Sequence, residues 1–421
     1  MVKSTHGRNE IHLEGVDVSG HFMGRCLCVL PWIHSHITNA GEVMVCCVSG
    51  SGREAYPVVG NVYRESLSDI FRSPNMERIR GLMAMGEWPP ECDTCRKRES
   101  LGMDSFRKQN NRRYSSYFVD LERAPERFPA KIRTIDIRPS NICNFRCRMC
   151  SGYASSQWFS EHNLIYPERR LEKPTIRLDN PRLWHDIFDG FLDDLEEIHI
   201  AGGEPLVMDE HLALLSELLR RGKVDTLLYY DTNLSVLTFR GRDILSLWDR
   251  FSRIKVSLSL DGVGGKGEYI RYGLDYDRWL CNVRELLARA PHVEVAMHFV
   301  VSIYNVIDFR FHYDSIRRLG IVDPDQVEYT LLEWPPYLSV QAMPNGLKRR
   351  VASDLEDMLS NDRLVTVRDR KTILALIQFM NVKDAHRAYW GDFLRITRQL
   401  DAIRGQDCLI SFPILREFAQ E

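Results

Sequence analysis

Three cysteines within eight residues, Cys143, Cys147 and Cys150 in Cys-Asn-Phe-Arg-Cys-Arg-Met-Cys, are the side chains in this sequence best suited to chemistry. Their C-x3-C-x2-C spacing puts three soft ligands on one short loop. That is one ligand short of the closed set, four cysteines or two cysteines and two histidines, of a structural zinc site. An open position is what a reactive centre needs. Cysteine thiolates also ligate iron–sulfur clusters, so the loop reads as the holder of a four-iron cluster with one iron exposed. The plain alternative is a zinc knuckle or unrelated thiols.

A second motif, Gly202-Gly203-Glu204-Pro205, begins 52 residues after Cys150 where a strand pattern gives way to a helix. Glycines there let a backbone come close to a ligand, and the carboxylate and free carbonyls can accept hydrogen bonds from an ammonium group. On its own the motif is an ordinary turn before a helix; following the cysteine loop, it points to a bound cofactor.

The remaining cysteines are concentrated upstream. Of 11 in the chain, at 26, 28, 46, 47, 92, 95, 143, 147, 150, 281 and 408, nine precede position 151. An odd count without an export signal argues for metal ligation in a reducing, cytoplasmic compartment rather than for disulfides. Cys281 and Cys408 stand alone and read as small buried hydrophobes. Residues 26–95 are turn-rich, with Gly41, Gly50, Gly52, Gly60 and Pro89-Pro90, and hold three cysteine pairs. Cys28 and Cys46 bracket Gly41 as C-x12-G-x4-C, and Cys92 and Cys95 form a C-x2-C pair. These four can complete a coordination shell, with Cys26 and Cys47 as alternates; a four-cysteine zinc ribbon would use the same residues.

The elements that must position these groups follow from periodicity. From 131 to 336 strand patterns alternate with amphipathic helices, which predicts parallel β/α units. Strands are expected at 131–138, 194–201, 227–230, 254–261, 293–302 and 327–334. In Ile254 to Asp261 the residues Ser257, Ser259 and Asp261 share a polar face opposite Ile254, Val256, Leu258 and Leu260, which suggests a polar lumen. His199, His298 and Tyr229 fall on that side by alternation. Residues 96–130 read as a charged helix and a linker with a solvated basic face. Beyond Pro335-Pro336 the pattern is helical, with no chemistry evident. A formal charge of -2, a polar N-terminus and no long apolar run give no footprint for nucleic acid or membrane.

The cysteine loop directly after a strand, followed by Gly-Gly-Glu-Pro, closely resembles the radical S-adenosylmethionine (SAM) superfamily. The upstream module resembles the SPASM/Twitch auxiliary-cluster domains in Pro31-Trp32, Gly41, Cys46-Cys47, Gly60-Asn61-Val62 and Ser66 to Phe71, although those domains usually follow the core and here the module precedes it. The resemblance implies an α/β fold: a partial (β/α)6 barrel at 131–336, an N-terminal auxiliary-cluster domain at 1–115, a linker at 116–130 and a C-terminal helical extension at 337–421. It implies a SAM-binding [4Fe–4S] cluster on Cys143, Cys147 and Cys150, and one auxiliary [4Fe–4S] cluster on Cys28, Cys46, Cys92 and Cys95. SAM is then expected against Met149, Gly202, Gly203, Glu204, Pro205, Asn233, Ser257, Ser259 and Arg271, with Asp261 as a candidate catalytic group. The implied reaction is reductive SAM cleavage to a 5'-deoxyadenosyl radical, which takes a hydrogen atom from a substrate. An electron donor of the flavodoxin or ferredoxin type is implied as well. The expected substrate is a small sugar-like or natural-product molecule, with dehydrogenation or epimerisation as outcomes. A ribosomal peptide is the first alternative, and a non-catalytic iron–sulfur or zinc sensor or scaffold is an alternative of another class.

Overall fold

A computed structural model describes residues 26–49, 57–361 and 365–419; Gly50 and Gly52 lie outside them. The backbone is organised on a nine-stranded sheet. In chain order its strands are β1 (His34–Ile37), β2 (Glu42–Met44), β3 (Gly60–Asn61), β4 (Thr134–Ile137), β6 (Glu197–Ile200), β7 (Leu227–Thr232), β8 (Ile254–Ser259), β10 (Glu294–Val301) and β11 (Val327–Leu331). A separate two-stranded ribbon pairs β5 (Arg146–Cys147) with β9 (Arg271–Tyr272). All six expected strands are present, and they run parallel in the spatial order β4-β6-β7-β8-β10-β11.

The sheet does not stop at β4. β1, from the cysteine-rich module, pairs with it in parallel, His36 opposite Asp136, and brings the antiparallel β2 and β3 along. The upstream module is therefore continuous with the barrel sheet.

Alternation separates the two faces of the sheet. Ile135, Ile137, Ile198, Ile200, Leu228, Tyr230, Val256, Leu258, Met297 and Phe299 are buried in one core. Helix α1 (Asp209–Arg220) covers part of that side: its His211 Nε2 lies 3.1 Å from the Tyr230 hydroxyl. Its Leu212, Leu214, Leu215 and Leu218 are buried as an amphipathic stripe should be. The opposite face carries Asp136, His199, Tyr229, Asp231, Ser257, Ser259 and His298, in register from strand to strand.

Three sequence expectations need correction. The stretch 96–130 forms helices at Asp93–Ser100, Phe106–Arg113 and Ser115–Arg123 and is not simply a solvated face. Arg107 is buried, paired with Glu99 at 2.7 Å and donating to the Leu27 carbonyl, because its charge is compensated inside. The expected linker supplies Phe118 and Leu121 to the core. Cys281 is exposed: on helix α2 (Tyr276–Arg289) the inward positions are Trp279, Asn282, Val283 and Leu286. Cys408 is buried as expected. The C-terminal region forms α3 (Asn345–Asn361), α4 (Val367–Val382) and α5 (His386–Arg404). No helix among the described residues is long and apolar enough to cross a membrane.

Candidate active site and auxiliary thiol cavity

The loop Cys143 to Cys150 leaves the top of β4 and is pinned at its base by Asn141. That side chain donates to the carbonyls of Gly152 and Pro174 and accepts from the Ile176 N–H at 2.8 Å. Further along, the Trp158 indole donates to the Cys147 carbonyl at 2.9 Å, and Cys150 N–H closes a turn onto the same carbonyl. β9 fixes the middle of the loop by pairing Arg271 with Cys147. Cys147 and Cys150 are hydrogen-bonded thiol to thiol, a bond that draws Cys147 down and pushes Cys150 up from the ordinary thiol pKa. Burial and the neighbouring Cys147 raise Cys143 to about 12. Three thiols thus share one partly open loop, without meeting at a single ion-sized point.

Gly202 and Gly203 pack directly against this loop. Gly202 has φ +124°, and a Cβ on Gly203 would stand 2.0 Å from the Ile142 carbonyl oxygen. Gly203 N–H donates to Ser140 and Glu204 N–H to Ile142. The glycines are thus required by the approach of two protein backbones. The Glu204 carboxylate is buried and accepts from Leu206 N–H, Asn233 N–H and the Thr232 hydroxyl. Burial pushes its pKa up to about 7 against those three donors. Its two oxygens serve the protein, and the Glu204 carbonyl accepts from Val207 N–H at 3.2 Å. Asn233 also donates to Asn144 inside the cysteine loop at 3.0 Å.

Asp261 and Arg271 form a buried pair at 2.7 Å between Nε and Oδ2. The other Asp261 oxygen accepts from Val300 N–H, and Arg271 reaches to 3.9 Å from the Cys147 sulfur. Asp261 therefore holds Arg271 over the thiols as an ion pair, while its Oδ2 accepts no hydrogen bond. Met149 is half-buried on the loop; Ser257 and Ser259 lie on the polar sheet face, away from the thiols' own hydrogen bonds.

The second thiol set encloses a cavity. Cys28, Cys46, Cys92 and Cys95 line it together with Leu30, Val45, Phe106 and Arg107. Burial raises all four thiols, Cys28 to about 12, and neighbouring thiols add to it at Cys28, Cys46 and Cys92, so ligand binding there would release protons. Among the described residues no three His, Cys, Asp or Glu side chains converge on a single ion-sized point. The four thiols thus rim a cavity and do not make a preformed ion site. Cys26 donates instead to the Glu87 carbonyl at 2.9 Å. Burial, with the carboxylates of Asp136 and Asp231, pushes the Cys47 thiol pKa up against the pull of Arg138.

Sequence reasoning missed the ionic row on the polar sheet face. His36 Nδ1 lies 2.9 Å from Asp136, which lies 3.5 Å from His199 Nδ1; His199 Nε2 is 3.0 Å from Asp231. Tyr229 stacks on His199 with centroids 4.4 Å apart. Burial disfavours the imidazolium, yet the two carboxylates outweigh it and hold the His199 pKa at about 10. The signal was cross-strand: Asp136 and Asp231 each sit on the same side as His199 once register is known. Below the row, Arg113 and Tyr114 meet Glu197 at 2.7 and 2.9 Å.

With this geometry in place, sequence comparison gives the class. The radical SAM superfamily matches residues 137–313, and the iron–sulfur cluster-binding SPASM domain matches 26–96. Together they take in more than half of the chain, and the protein belongs to the radical SAM superfamily, a family of enzymes. Within it, this chain carries its SPASM domain ahead of the core, and these domains bring [4Fe–4S] clusters and SAM as cofactors. No curated protein matches the sequence. Solved structures similar to it include native anSMEcpe with bound AdoMet, 17% identical with a TM-score of 0.39 over 55% of this chain and 62% of that one. Another is native anSMEcpe with AdoMet and the Cp18Cys peptide, at 18% and 0.37 over the same shares. Streptococcus suis SuiB bound to S-adenosylmethionine is 13% identical at 0.35, over 68% of this chain and 58% of that one. The chain spans about three fifths of the length of these solved chains.

Proposed function

We propose that this protein removes a hydrogen atom from a small polar molecule, sugar-like in its density of hydroxyl or amino groups, held on the polar face of the sheet, and that the product is oxidised. When bound, a [4Fe–4S] cluster with SAM on its open iron supplies the electron that splits the sulfonium and so yields the hydrogen-abstracting 5'-deoxyadenosyl radical. Cys143, Cys147 and Cys150 are the ligands on this reading. The carbonyls of Gly202 and Gly203 receive the methionine ammonium of SAM, with Glu204 and Pro205 shaping the segment. Met149, Asn233, Ser257 and Ser259 border the same cofactor, and Arg271 offers its guanidinium to a carboxylate. Asp261 acts by positioning Arg271.

The observation that carries the substrate reading is the Asp136–His199–Asp231 row. The Asp231 side chain is 31% exposed on a face otherwise walled by protein. A carboxylate and an imidazolium side by side accept from and donate to neighbouring hydroxyl or amino groups, and Asp231 can take up the proton that an oxidised carbinol or amine gives up. Arg113, Tyr114 and Glu197 close the face below, which favours a compact substrate over an extended one. Cys46, on the wall of the thiol cavity, is one residue from Cys47, and an auxiliary cluster held by that thiol set would take the electron that the substrate radical gives up as Asp231 takes its proton.

The test is an anaerobic assay of reconstituted, reduced protein with deuterated polyols, aminosugars and peptides. Deuterium in 5'-deoxyadenosine from a polyol or aminosugar is the expected result. Deuterium transfer from peptides alone would replace this substrate class with the peptide one.

A further inference from the structure

The C-terminal helices lie outside the matched domains, yet they reach the most sensitive part of the chain. Arg148, next to Cys147 in the cysteine loop, has a fully buried side chain. Its guanidinium is bound by Asp401 near the end of α5 and by Gln406 at 2.9 Å just beyond. It also donates to the Tyr269 carbonyl at 3.0 Å and stacks 3.6 Å over the Tyr269 ring. Asp401 is held in turn by the Tyr269 hydroxyl and by Cys408 N–H.

The residue on the other side of Cys147 is tied to the same helix. Arg146 pairs with Glu161 at 2.8 Å, and Arg404 binds both oxygens of Glu161, at 3.1 and 2.6 Å. Arg404 and Glu161 are both buried, and Arg404 packs between the rings of Trp158 and Tyr272. Trp158 is the residue whose indole binds the Cys147 carbonyl. A planar guanidinium with two oxygens on it has one orientation, whereas apolar packing tolerates sliding. Such bonds suit aim better than adhesion. The docking of α5 does not depend on them, because Trp390, Phe393, Ile396 and Leu400 are buried on its inner side.

We propose that α5 is a positioning element for the radical site: Asp401 and Gln406 acting on Arg148, and Arg404 acting through Glu161 on Arg146, hold both neighbours of Cys147 so that its thiol keeps its place among the three. The inference rests on the reading above for what Cys147 does there. The geometry of the clamp does not need a bound cluster and can be measured without one.

The experiment uses the full chain with Asp401→Asn, Arg404→Gln and the double substitution. Cluster-free protein is treated with iodoacetamide and each cysteine is followed by mass spectrometry. Cys147 and Cys28 are both 6% exposed, so Cys28 is the internal control. The expected result is a tenfold or greater rise in Cys147 labelling in the double variant with Cys28 unchanged. After anaerobic reconstitution, the variants keep their iron, but the change that SAM makes in the electron paramagnetic resonance signal of the loop cluster weakens, and Arg404→Lys recovers part of it. Cys147 labelling at the original rate would overturn the proposal. So would Cys147 and Cys28 rising together, since that is loss of folding rather than of aim. If the unaltered chain takes up no cluster on the loop, the functional reading fails, while the labelling still decides the clamp.

Discussion

Gly203 lies so close to Ile142 that a methyl group added to it would sit 2.0 Å from the Ile142 carbonyl oxygen and 2.5 Å from its carbonyl carbon. The obstacle is backbone one residue before Cys143, so it cannot swing aside as a side chain would. Gly203→Ala is therefore expected to displace the start of the cysteine loop and leave the thiol cavity intact. Iron after anaerobic reconstitution should fall from about eight to about four per chain, as the loss of one four-iron cluster requires. Full iron in this variant would mean that the two backbones separate at little cost.

Cys46 and Cys26 separate the two assignments possible for the upstream module. Cys46 lines the cavity with Cys28, Cys92 and Cys95, whereas the Cys26 thiol is turned to the Glu87 carbonyl. Cys46→Ala should lose the auxiliary cluster and about four irons, and Cys26→Ala should keep both. Metal analysis of the two variants checks this. Zinc in place of the second four irons would make the cavity a zinc site.

How far the sequence speaks depends on whether a residue's partners are near it in the chain. Cys143, Cys147 and Cys150 share one loop, and the strand ending in Gly202-Gly203 shows itself by its own alternation. Cys28, Cys46, Cys92 and Cys95 span more of the chain, but their C-x12-G-x4-C and C-x2-C spacings still marked them. The row His36–Asp136–His199–Asp231 left no such mark, because it exists only across β1, β4, β6 and β7. For the same reason β1 was not expected in the barrel sheet, and the helical pattern beyond Pro336 singled out neither Asp401 nor Arg404. Arg107 looked solvated in a run of basic residues; its partner Glu99 and the Leu27 carbonyl became visible only with the fold.

The ionic row makes stability depend on pH in a stated direction. The His199 pKa, about 10 in the folded chain because Asp136 and Asp231 outweigh burial, lies above its unfolded value of about 6.5. Its contribution is thus fully present below about pH 6.5 and is lost as pH rises through about 10. Burial works against the carboxylates too, but their cationic neighbours hold Asp136 well below and Asp231 below the ordinary value. Their contribution is present above about pH 4 and is lost in acid. Urea midpoints should therefore fall more steeply between pH 7 and 10 for the native chain than for His199→Gln. Parallel curves would show that His199 is not held protonated.

Asp261 offers a test of positioning against direct chemistry. Both its oxygens are engaged, by Arg271 at 2.7 Å and by Val300 N–H at 2.8 Å, and its side chain is fully buried. Removing one partner of a buried ion pair leaves the other uncompensated, so Asp261→Ala should destabilise the cluster-free chain by about 3–5 kcal/mol. Asp261→Asn still offers an oxygen to Val300 and should cost less. Replacing the pair together, Asp261→Leu with Arg271→Met, should be milder than the sum of the single changes because no charge is stranded. Urea unfolding of these three variants and of Asp261→Leu and Arg271→Met alone measures this. A group that instead handed protons to the substrate would behave oppositely: Asp261→Asn would keep its stability and still take up SAM, yet give no product.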